Sequence, residues 1–529
     1  MSDDDTQNLT SIVKKDAPKQ DPPPESSTVA ILVGAGVCIG IVIVVALLFL
    51  TGLGGSGSGS KSQDAGGAAA GASKAPTEAS SKGDDKPEKP AARRAASFTS
   101  GDDAEHATTD PHRKGRKATV GATSRKPTSA SPKMPKQKPM AKAPLVCVFG
   151  SRTDRKMRFP PDRLCDIVFY DSLYANKANT FQSARFAPDL RRVLKAFKSY
   201  RVTERGLAVA HTGADKATMD ISSMKGKATF RKLWASGVYH YGVLDFIPTN
   251  RTGERDMVAM LRLLKLIRRL HAAHAPKNSS FKQYIALGIA YLKNANEKIY
   301  RTFEQATKTG VIQLAILRTH IGTSNQASGT HCRITGSTLW GKPVDNHQPN
   351  IESTLDYLRR RRPPFGANTR VLMSMSLAGR WYSSLVGGSN RSAYAVGAKC
   401  KSFKLGAAKQ VDSRVTICNK HHYAYADHVS RDKPHEVMTT YDDSTALAFV
   451  FDNEETLFAK VCKAWNVVGK GVRHIGVALF DAEFDDWSNA CSSWNKFGSF
   501  SLTRAARKTV DAVQARNSAR PLDCATLPT

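Results

Sequence analysis

Short apolar runs alternate with amphipathic segments of helical length between residues 144 and 377. The apolar runs carry few charges, which is typical of parallel strands that are buried on both faces. One amphipathic segment places its apolar residues on a single helical face, namely Leu190, Val193, Leu194 and Phe197. Frequent alternation of such strands and helices predicts a parallel α/β sheet closed into a (β/α)8 TIM barrel. Functional residues of such barrels are expected at the C-terminal ends of the strands.

The pattern predicts the following elements within this region. The predicted strands are residues 145–150, 164–170, 206–210, 238–248, 284–289, 312–317 and 371–377. The predicted helices are residues 188–200, 229–236, 256–273 and 353–361.

Residues 29–50 form an apolar stretch without charged residues, close to the roughly 20 residues that span a bilayer. Lysines precede this stretch closely, whereas the first basic residue after it is Lys61, so the N-terminus is expected in the cytoplasm. We predict a disordered tail at 1–28, a signal-anchor helix at 29–51 and a single-pass type II protein of the plasma membrane or secretory pathway. Gly36 and Gly40 have the spacing of a small-xxx-small motif, which favours a weak dimer contact.

The segment after the anchor, residues 52–143, is rich in Gly, Ser, Ala, Pro and Lys and predicts a disordered basic stalk. The barrel domain is expected at 144–512 and a tail at 513–529. The net charge of +32 would suit a nucleic acid, an anionic glycan or an anionic surface. A domain outside the cytosol does not meet nucleic acid, so we expect a glycan or protein ligand.

Eight cysteines follow the predicted anchor: Cys147, Cys165, Cys332, Cys400, Cys418, Cys462, Cys491 and Cys524. An even number in an oxidising compartment predicts up to four disulfides, with the pairing left open by spacing alone. Asn250, Asn278 and Asn390 lie in N-x-S/T sequons and are predicted glycosylation sites.

Several strings in this order resemble the family-18 glycoside hydrolases, the chitinases and chitinase-like lectins. They are LCDIVFYDS at 164–172, FRKLWASGVYHYGVLD at 230–245, the segment 350–382 with the turn Ala378-Gly379-Arg380, VMTTYDD at 437–443 and GVALFDAEFDD at 476–486. The resemblance implies a barrel with a small α+β insertion. It also implies a disulfide between Cys147 and Cys165, and adds Cys418 and Cys491 as disulfide cysteines.

The sequence departs from the family at its catalytic run. The family uses D-G-x-D-x-D-x-E at the end of strand four, where the glutamic acid protonates the leaving oxygen in a substrate-assisted reaction. An ungapped alignment on Gly242 puts non-acidic residues at these positions: Tyr241, Leu244, Phe246 and Pro248. Proline cannot transfer a proton, and general acid help is typically worth about a hundredfold to ten-thousandfold. We therefore do not expect catalysis.

Asp245 is the only carboxylate in this run. Side chains alternate along a strand, so in this register Asp245 points away from the face that carries Leu244 and Phe246. A slip of one residue would turn Asp245 inward and make it an alternative acid.

Two further family features are altered. The tryptophan beneath the reactive sugar falls on Phe480, and Leu317 and Arg318 stand near the expected Tyr-Asp pair. The aromatic residues expected nearest the cleft, and hence the predicted ligand contacts, are Phe480, Tyr241, Trp381 and Tyr441.

Other clusters are interpreted as structural. The histidines and aspartate of HHYAYADH at 421–428 match no defined metal motif, so we predict no metal and no cofactor. Asp485 and Asp486 are expected to be structural ends of the last strand, while Glu483 is a second alternative acid. Arg359–Arg362 are expected to complement a helix dipole as a solvated basic face, with a glycan-binding role for this patch as the alternative.

The sequence thus predicts a membrane-anchored chitinase-like protein that binds a glycan, of the chitin or N-acetylglucosamine type, or a protein partner without hydrolysing it. Two alternatives remain open. One is an active hydrolase with a displaced acid, and the other is an adhesion protein that binds anionic glycosaminoglycans.

Overall fold

The computed structural model describes residues 140–248, 253–274, 283–322, 332–344, 348–361, 365–401, 410–418, 423–468, 475–515 and 523–524. The predicted tail, anchor and nearly all of the stalk lie outside these residues, as do Asn250, Asn278, His421 and His422. No helix within the described ranges has the length and apolar character needed to cross a membrane.

Seven parallel strands open the domain, each paired with the next. They are β1 (Leu145–Phe149), β2 (Ile167–Leu173), β3 (Glu204–Val209), β4 (His240–Phe246), β5 (Ile285–Ala290), β6 (Leu314–Arg318) and β7 (Arg370–Ser376). An antiparallel sheet follows, built from β8 (Gly379–Ser384), β9 (Cys400–Lys401), β10 (Val411–Asp412), β11 (Ser430–Asp432), β12 (Val437–Asp442) and β13 (Leu447–Phe451). The chain then returns as β14 (Ile475–Phe480), which pairs with both β7 and β1 and closes the barrel. The predicted (β/α)8 barrel is confirmed.

Helices connect and cover the strands. They are α1 (Pro188–Phe197), α2 (Ala214–Ser222), α3 (Met224–Ala235), α4 (Gly253–His274), α5 (Glu297–Lys308), α6 (Ile351–Arg361), α7 (Val415–Cys418), α8 (Tyr423–Ala426), α9 (Glu454–Val468) and α10 (Ser501–Ala515). In α1 the buried residues include Leu190, Val193 and Phe197, the apolar face that the sequence predicts. A proline at the first turn favours this helix start, because its missing N–H would have no partner there.

Two apolar layers result from the alternation of side chains along the strands. The inner layer fills the barrel with residues such as Val148, Phe169 and Leu244. The outer layer packs residues such as Tyr170 and Val243 against the helices. Because every strand is buried on both faces, polar side chains are confined to the strand ends.

Four disulfides are formed, as the cysteine count predicts: Cys147–Cys165, Cys332–Cys400, Cys418–Cys491 and Cys462–Cys524. The first joins β1 to the segment that enters β2, as the family resemblance implies. They close loops of 18 to 73 residues. Each bridge of this kind typically stabilises a protein by about 2–4 kcal/mol.

β4 contains a β-bulge that changes the expected register. Val243 pairs with Leu287 and Phe246 pairs with Ile289, so three steps along β4 match two along β5. Gly288 of β5 allows this, because a Cβ there would stand 2.3 Å from the carbonyl oxygen of Leu244. The strict alternation expected for this strand is therefore wrong beyond Leu244.

Gly288→Ala tests whether this close approach supports the bulge. The added methyl group must displace the β4 backbone, and overpacking of this kind costs about 1–3 kcal/mol. We expect the free energy of unfolding, measured by guanidinium denaturation, to fall by that amount. Gly388→Ala gives the cost of backbone strain alone, because a Cβ there meets no atom within 4 Å but its φ is +82°. An unchanged free energy of unfolding in Gly288→Ala would contradict the proposed crowding at Gly288.

Candidate functional site

Four carboxylates converge at the C-terminal ends of the barrel strands. Asp171 lies on β2 and Asp245 on β4, while Asp481 and Glu483 directly follow β14. Burial raises the pKa of three of them, Asp171, Asp481 and Glu483. We call these four residues the mouth carboxylates.

Two β-bulges bring the aspartates of β2 and β4 to this end of the barrel. The bulge of β2 lies between Tyr170 and Leu173 and contains Asp171. The bulge of β4 lies between Val243 and Phe246 and contains Asp245. Bulges near the end of a strand redirect side chains, and they are frequent beside active sites.

Asp171 and Glu483 both lie beside Gly150, which follows β1, and we refer to them together as a pair. A Cβ at residue 150 would stand 2.8 Å from Oε1 of Glu483 and 3.7 Å from Oδ1 of Asp171. The backbone N–H of Gly150 donates to both oxygens of Glu483, at 3.1 and 3.0 Å. Only glycine leaves room for the two carboxyl groups at this position.

Burial and like charge favour the protonated form of this pair. Burial, together with the charges of Asp481 and Asp245, raises the pKa of Asp171 from 3.8 to about 7. Burial and the charge of Asp481 raise the pKa of Glu483 from 4.5 to about 8, although the Gly150 N–H opposes this. Near neutral pH the pair therefore holds at least part of a proton that neighbouring acceptors can share.

Asp245 is bound to His211, which follows β3. Its Oδ1 accepts the backbone N–H of His211 at 2.9 Å, and its Oδ2 lies 2.9 Å from the ring Nδ1. Burial alone would lower the pKa of His211, but the hydrogen bond and charge of Asp245 outweigh burial and raise it. The side chain of Asp245 is 34 % exposed and is accessible from the barrel mouth.

Arg318 places a buried positive charge beside the mouth carboxylates. Its guanidinium donates through Nη1 to the backbone oxygen of Asp245, and the residue is only 3 % exposed. Burial lowers the pKa of Arg318, while the charges of Asp245, Asp481 and Asp171 oppose this. The arginine at the last residue of β6 thus offsets part of the negative charge.

Asp481 occupies a left-handed backbone conformation, with φ of 55°. Its Oδ2 accepts a hydrogen bond from the Ser376 hydroxyl at the end of β7. Burial raises the pKa of Asp481, although the Ser376 hydrogen bond and the charge of Arg318 oppose this. Aspartate tolerates this backbone conformation better than most residues do, so the turn after β14 suits a carboxylate.

Phe480 and His320 form the aromatic part of the mouth. Their ring centroids lie 4.3 Å apart, and Phe480 is 4 % exposed. The Nδ1 of His320 lies 2.7 Å from the hydroxyl of Ser374. Burial and the charges of Arg318 and Arg380 lower the pKa of His320 well below its ordinary value, so this ring is neutral.

The structure does not bring all predicted aromatic residues to the mouth. Tyr241 is fully buried in the outer layer and stacks on Phe230 of α3, at 5.1 Å between centroids. Trp381 packs on Phe449 in the antiparallel sheet and donates to Asp412 at 3.3 Å. Of the predicted contacts, Phe480 lies at the mouth.

Tyr441 likewise belongs to the antiparallel sheet, where it stacks on Tyr394 with centroids 4.4 Å apart. The positions that the ungapped alignment assigns to acids are also apolar and buried. Leu244 lies in the inner layer, Phe246 in the outer layer, and Pro248 contacts the start of α4 near Gly253.

The two aspartates interpreted as structural do have structural partners. Asp485 accepts the N–H groups of Leu502 and Thr503 at the start of α10. Asp486 accepts the N–H groups of Ala490 and Cys491. The prediction that these carboxylates stabilise the end of the barrel is confirmed.

Two other predictions concern ligands. Asn390 is exposed, and its glycosylation stays a prediction. Among the described residues, no group of three or more His, Cys, Asp or Glu side chains has an arrangement that would hold a metal ion.

Sequence reasoning missed Asp171, His211, His320 and Ser376 as members of the site. One signal was present, because FYD in β2 and VLD in β4 both end a strand-length apolar run with an aspartate. Ser376 ends β7, whereas His211 and His320 each lie two residues beyond a strand, and none of the three has a distinctive spacing.

Comparison with known proteins places the fold. No protein-family model matches the sequence, and no curated protein matches it. The structure resembles human YKL-39, described as a pseudo-chitinase with retained chitooligosaccharide binding properties, with a TM-score of 0.52 and 12% identity over 70% of this chain and 100% of that chain. It also resembles catalytic domain 2 of the Group II chitinase of Ostrinia furnacalis, with a TM-score of 0.50 and 12% identity over 73% of this chain and 100% of that chain. The described domain therefore has the fold of chitinases and chitinase-like proteins, as its resemblance to the family-18 hydrolases implies.

Proposed function

We propose that this chain is a membrane-anchored chitinase-like protein that binds a glycan of the chitin or N-acetylglucosamine type at the barrel mouth without hydrolysing it. The observation that carries this proposal is the end of β4. The family-18 reaction needs an aspartate and a glutamic acid two residues apart on one face of this strand. Here Asp245 is the only carboxylate, and Phe246 and Pro248 are buried.

The mouth carboxylates suit a neutral, hydroxyl-rich ligand. Asp245 accepts hydrogen bonds, while a protonated Asp171 or Glu483 also donates them. Neutral His320 and Phe480 pack on each other and are only 2 % and 4 % exposed, so the polar groups are the main ligand contacts. The described ability of human YKL-39 to bind chitooligosaccharides without being a true chitinase supports this proposal by analogy of fold.

An extracellular or lumenal position fits the four disulfides, because such bridges persist in oxidising compartments. The apolar segment at 29–50 supplies the anchor in this proposal. If the ligand is a protein instead of a glycan, it would bind to the same surface, the barrel mouth.

A second candidate function is a hydrolase with a rebuilt acid. It is favoured by the Asp171–Glu483 pair, because a carboxyl group with a pKa of about 7 or 8 is protonated near neutral pH. Against it, both oxygens of Glu483 accept the Gly150 N–H, which holds the group at the back of the mouth. We therefore rank binding first.

An assay of chitotetraose hydrolysis distinguishes the proposed binding protein from the alternative hydrolase. We expect the full-length chain to bind chitotetraose, measured by calorimetry, and to release no reducing ends from it over hours. The variants Glu483→Gln and Asp171→Asn should likewise release no reducing ends. Turnover by the wild type that either variant abolishes would replace the binding proposal with the hydrolase.

Asp245→Asn tests the ligand position. A charge-assisted hydrogen bond is worth about 1.5–3 kcal/mol, so loss of the carboxylate should weaken chitotetraose binding at least about tenfold. Asp432→Asn is the matched control, since Asp432 also lies 2.9 Å from a histidine Nδ1, that of His435. Equal affinities for the two variants would place the glycan away from Asp245.

The raised pKa values predict a pH dependence of stability. Folded Asp171 and Glu483 bind protons that the unfolded chain releases near pH 4, so stability falls as the pH rises from about 4 toward 8. Glu483→Gln removes one of these titrations. The melting temperature of this variant should therefore fall by roughly 2 °C less than that of the wild type between pH 6 and 9.

Asp486→Asn provides the control for this measurement. Burial would raise the pKa of Asp486, but the N–H groups of Cys491 and Ala490 outweigh burial and lower it. Asp486 stays ionised over the measured range, so its variant should shift the melting temperature equally at each pH. Parallel curves for Glu483→Gln and the wild type would show that Glu483 does not titrate in this window.

A further inference from the structure

A cavity of about 690 Å³ lies between α5, α6 and the loop that follows β5. This volume is typical of small-molecule sites, which span about 300–1,000 Å³. The lining residues that bear on its chemistry are Tyr291, Tyr300, Tyr357, Lys293, Lys342 and Arg360. None of them belongs to the mouth carboxylates or to their partners, so the cavity is a separate feature.

Three tyrosines whose rings contact one another form one wall of the cavity. The ring centroid of Tyr291 lies 4.4 Å from that of Tyr300 and 4.1 Å from that of Tyr357. Tyr357 donates to Glu304 at 3.0 Å, and Tyr300 accepts the backbone N–H of Leu292 at 2.8 Å. These partners fix two of the rings.

The third tyrosine differs from the other two. Tyr291 is 4 % exposed, and its hydroxyl has no hydrogen-bond partner among the described residues. A buried hydroxyl without a partner costs about 1–3 kcal/mol, and a ligand oxygen would restore that bond. The cavity wall therefore contains an unused donor.

The rim of the cavity carries more positive than negative charge that is not already paired. Arg361 pairs with Glu297, and Asp356 pairs with Arg359. Across the part of the chain that the structure describes, no carboxylate forms an ion pair with Lys293, Lys342 or Arg360. Glu352 is the one lining carboxylate left without a cationic partner in those same ranges, so an anion is favoured over a cation.

We propose that this cavity is a second glycan site, selective for a sugar residue that carries a sulfate or carboxylate. Tyr357, the most exposed of the three tyrosines, contacts the sugar ring. Tyr291 donates to one of the sugar oxygens, while Lys293 and Arg360 attract the anionic group. The inference does not rest on the proposed function of the barrel mouth, because no residue is shared. It gives the basic chain a defined site for an acidic glycan instead of diffuse attraction alone.

The test uses ligands with a single charge, because the lysine-rich residues 52–143 would attract a polyanion by themselves. Calorimetry compares N-acetylglucosamine 6-sulfate with N-acetylglucosamine on the full-length chain. We expect the sulfated sugar to bind about fivefold tighter or better, and the preference to vanish in the double variant Lys293→Gln, Arg360→Gln. Lys308→Gln is the matched control, since Lys308 is an exposed cation at the end of α5 that does not line the cavity.

Tyr291→Phe adds a second readout. It should weaken the sulfated sugar about fivefold without lowering the melting temperature, because it removes a hydroxyl that has no partner in the free protein. The proposal is overturned if the wild type shows no preference for the sulfated sugar. It is also overturned if the preference survives the double variant or is lost equally in Lys308→Gln. Failure of chitotetraose to bind at the mouth would leave these outcomes unaffected.

Discussion

Closure of the barrel is the constraint on which the rest of the structure depends. Once β14 pairs with both β1 and β7, every strand must place one face inside the barrel and the other under the helices. Both faces exclude water, so a carboxylate in mid-strand would be desolvated without a partner. The bulges of β2 and β4 relax this alternation at the C-terminal ends, where Asp171 and Asp245 lie. The polar site is thus a consequence of where the strands become irregular.

Crowding of like charges follows from this placement. Asp171, Asp245, Asp481 and Glu483 share a region with the buried Arg318, whose charge acts on three of them. Arg152 and Arg380 add charges that act on Asp481. These cations do not outweigh the burial of Asp171 and Glu483, so protons neutralise part of the negative charge. That balance explains why the pKa of Asp171 and Glu483 rises while Asp245, bound to His211, supports a charged partner.

The fold can be predicted well from the sequence and the functional site poorly, for physical reasons. Apolar periodicity reports burial, and burial on both faces is what a closed barrel imposes, so the strands from 145 to 377 and the face of α1 could be predicted. The register between strands could not be predicted in the same way, because the bulge in β4 depends on Gly288 in the neighbouring strand. Tyr241 is a separate case: it lies before the bulge, and alternation opposite to Leu244 places it in the outer layer and not in the cleft. Asp171 was visible in the same string as Cys165, but nothing local marks it as the partner of a residue more than 300 positions away.

The paired carboxyls bear on the choice between binding and hydrolysis. Such a pair lowers stability near neutral pH, so it persists only where the surroundings fix its geometry, as Gly150 and the β2 bulge do here. A fixed geometry is needed for catalysis and for selective binding alike. Catalysis further requires that the acid reach a leaving oxygen, whereas Glu483 has both oxygens held by the Gly150 N–H. Burial and the charge of Asp481 keep Glu483 protonated, and the Gly150 N–H fixes its position. A fixed, protonated carboxyl group can donate a hydrogen bond to a ligand hydroxyl, which is the chemistry of a binding site.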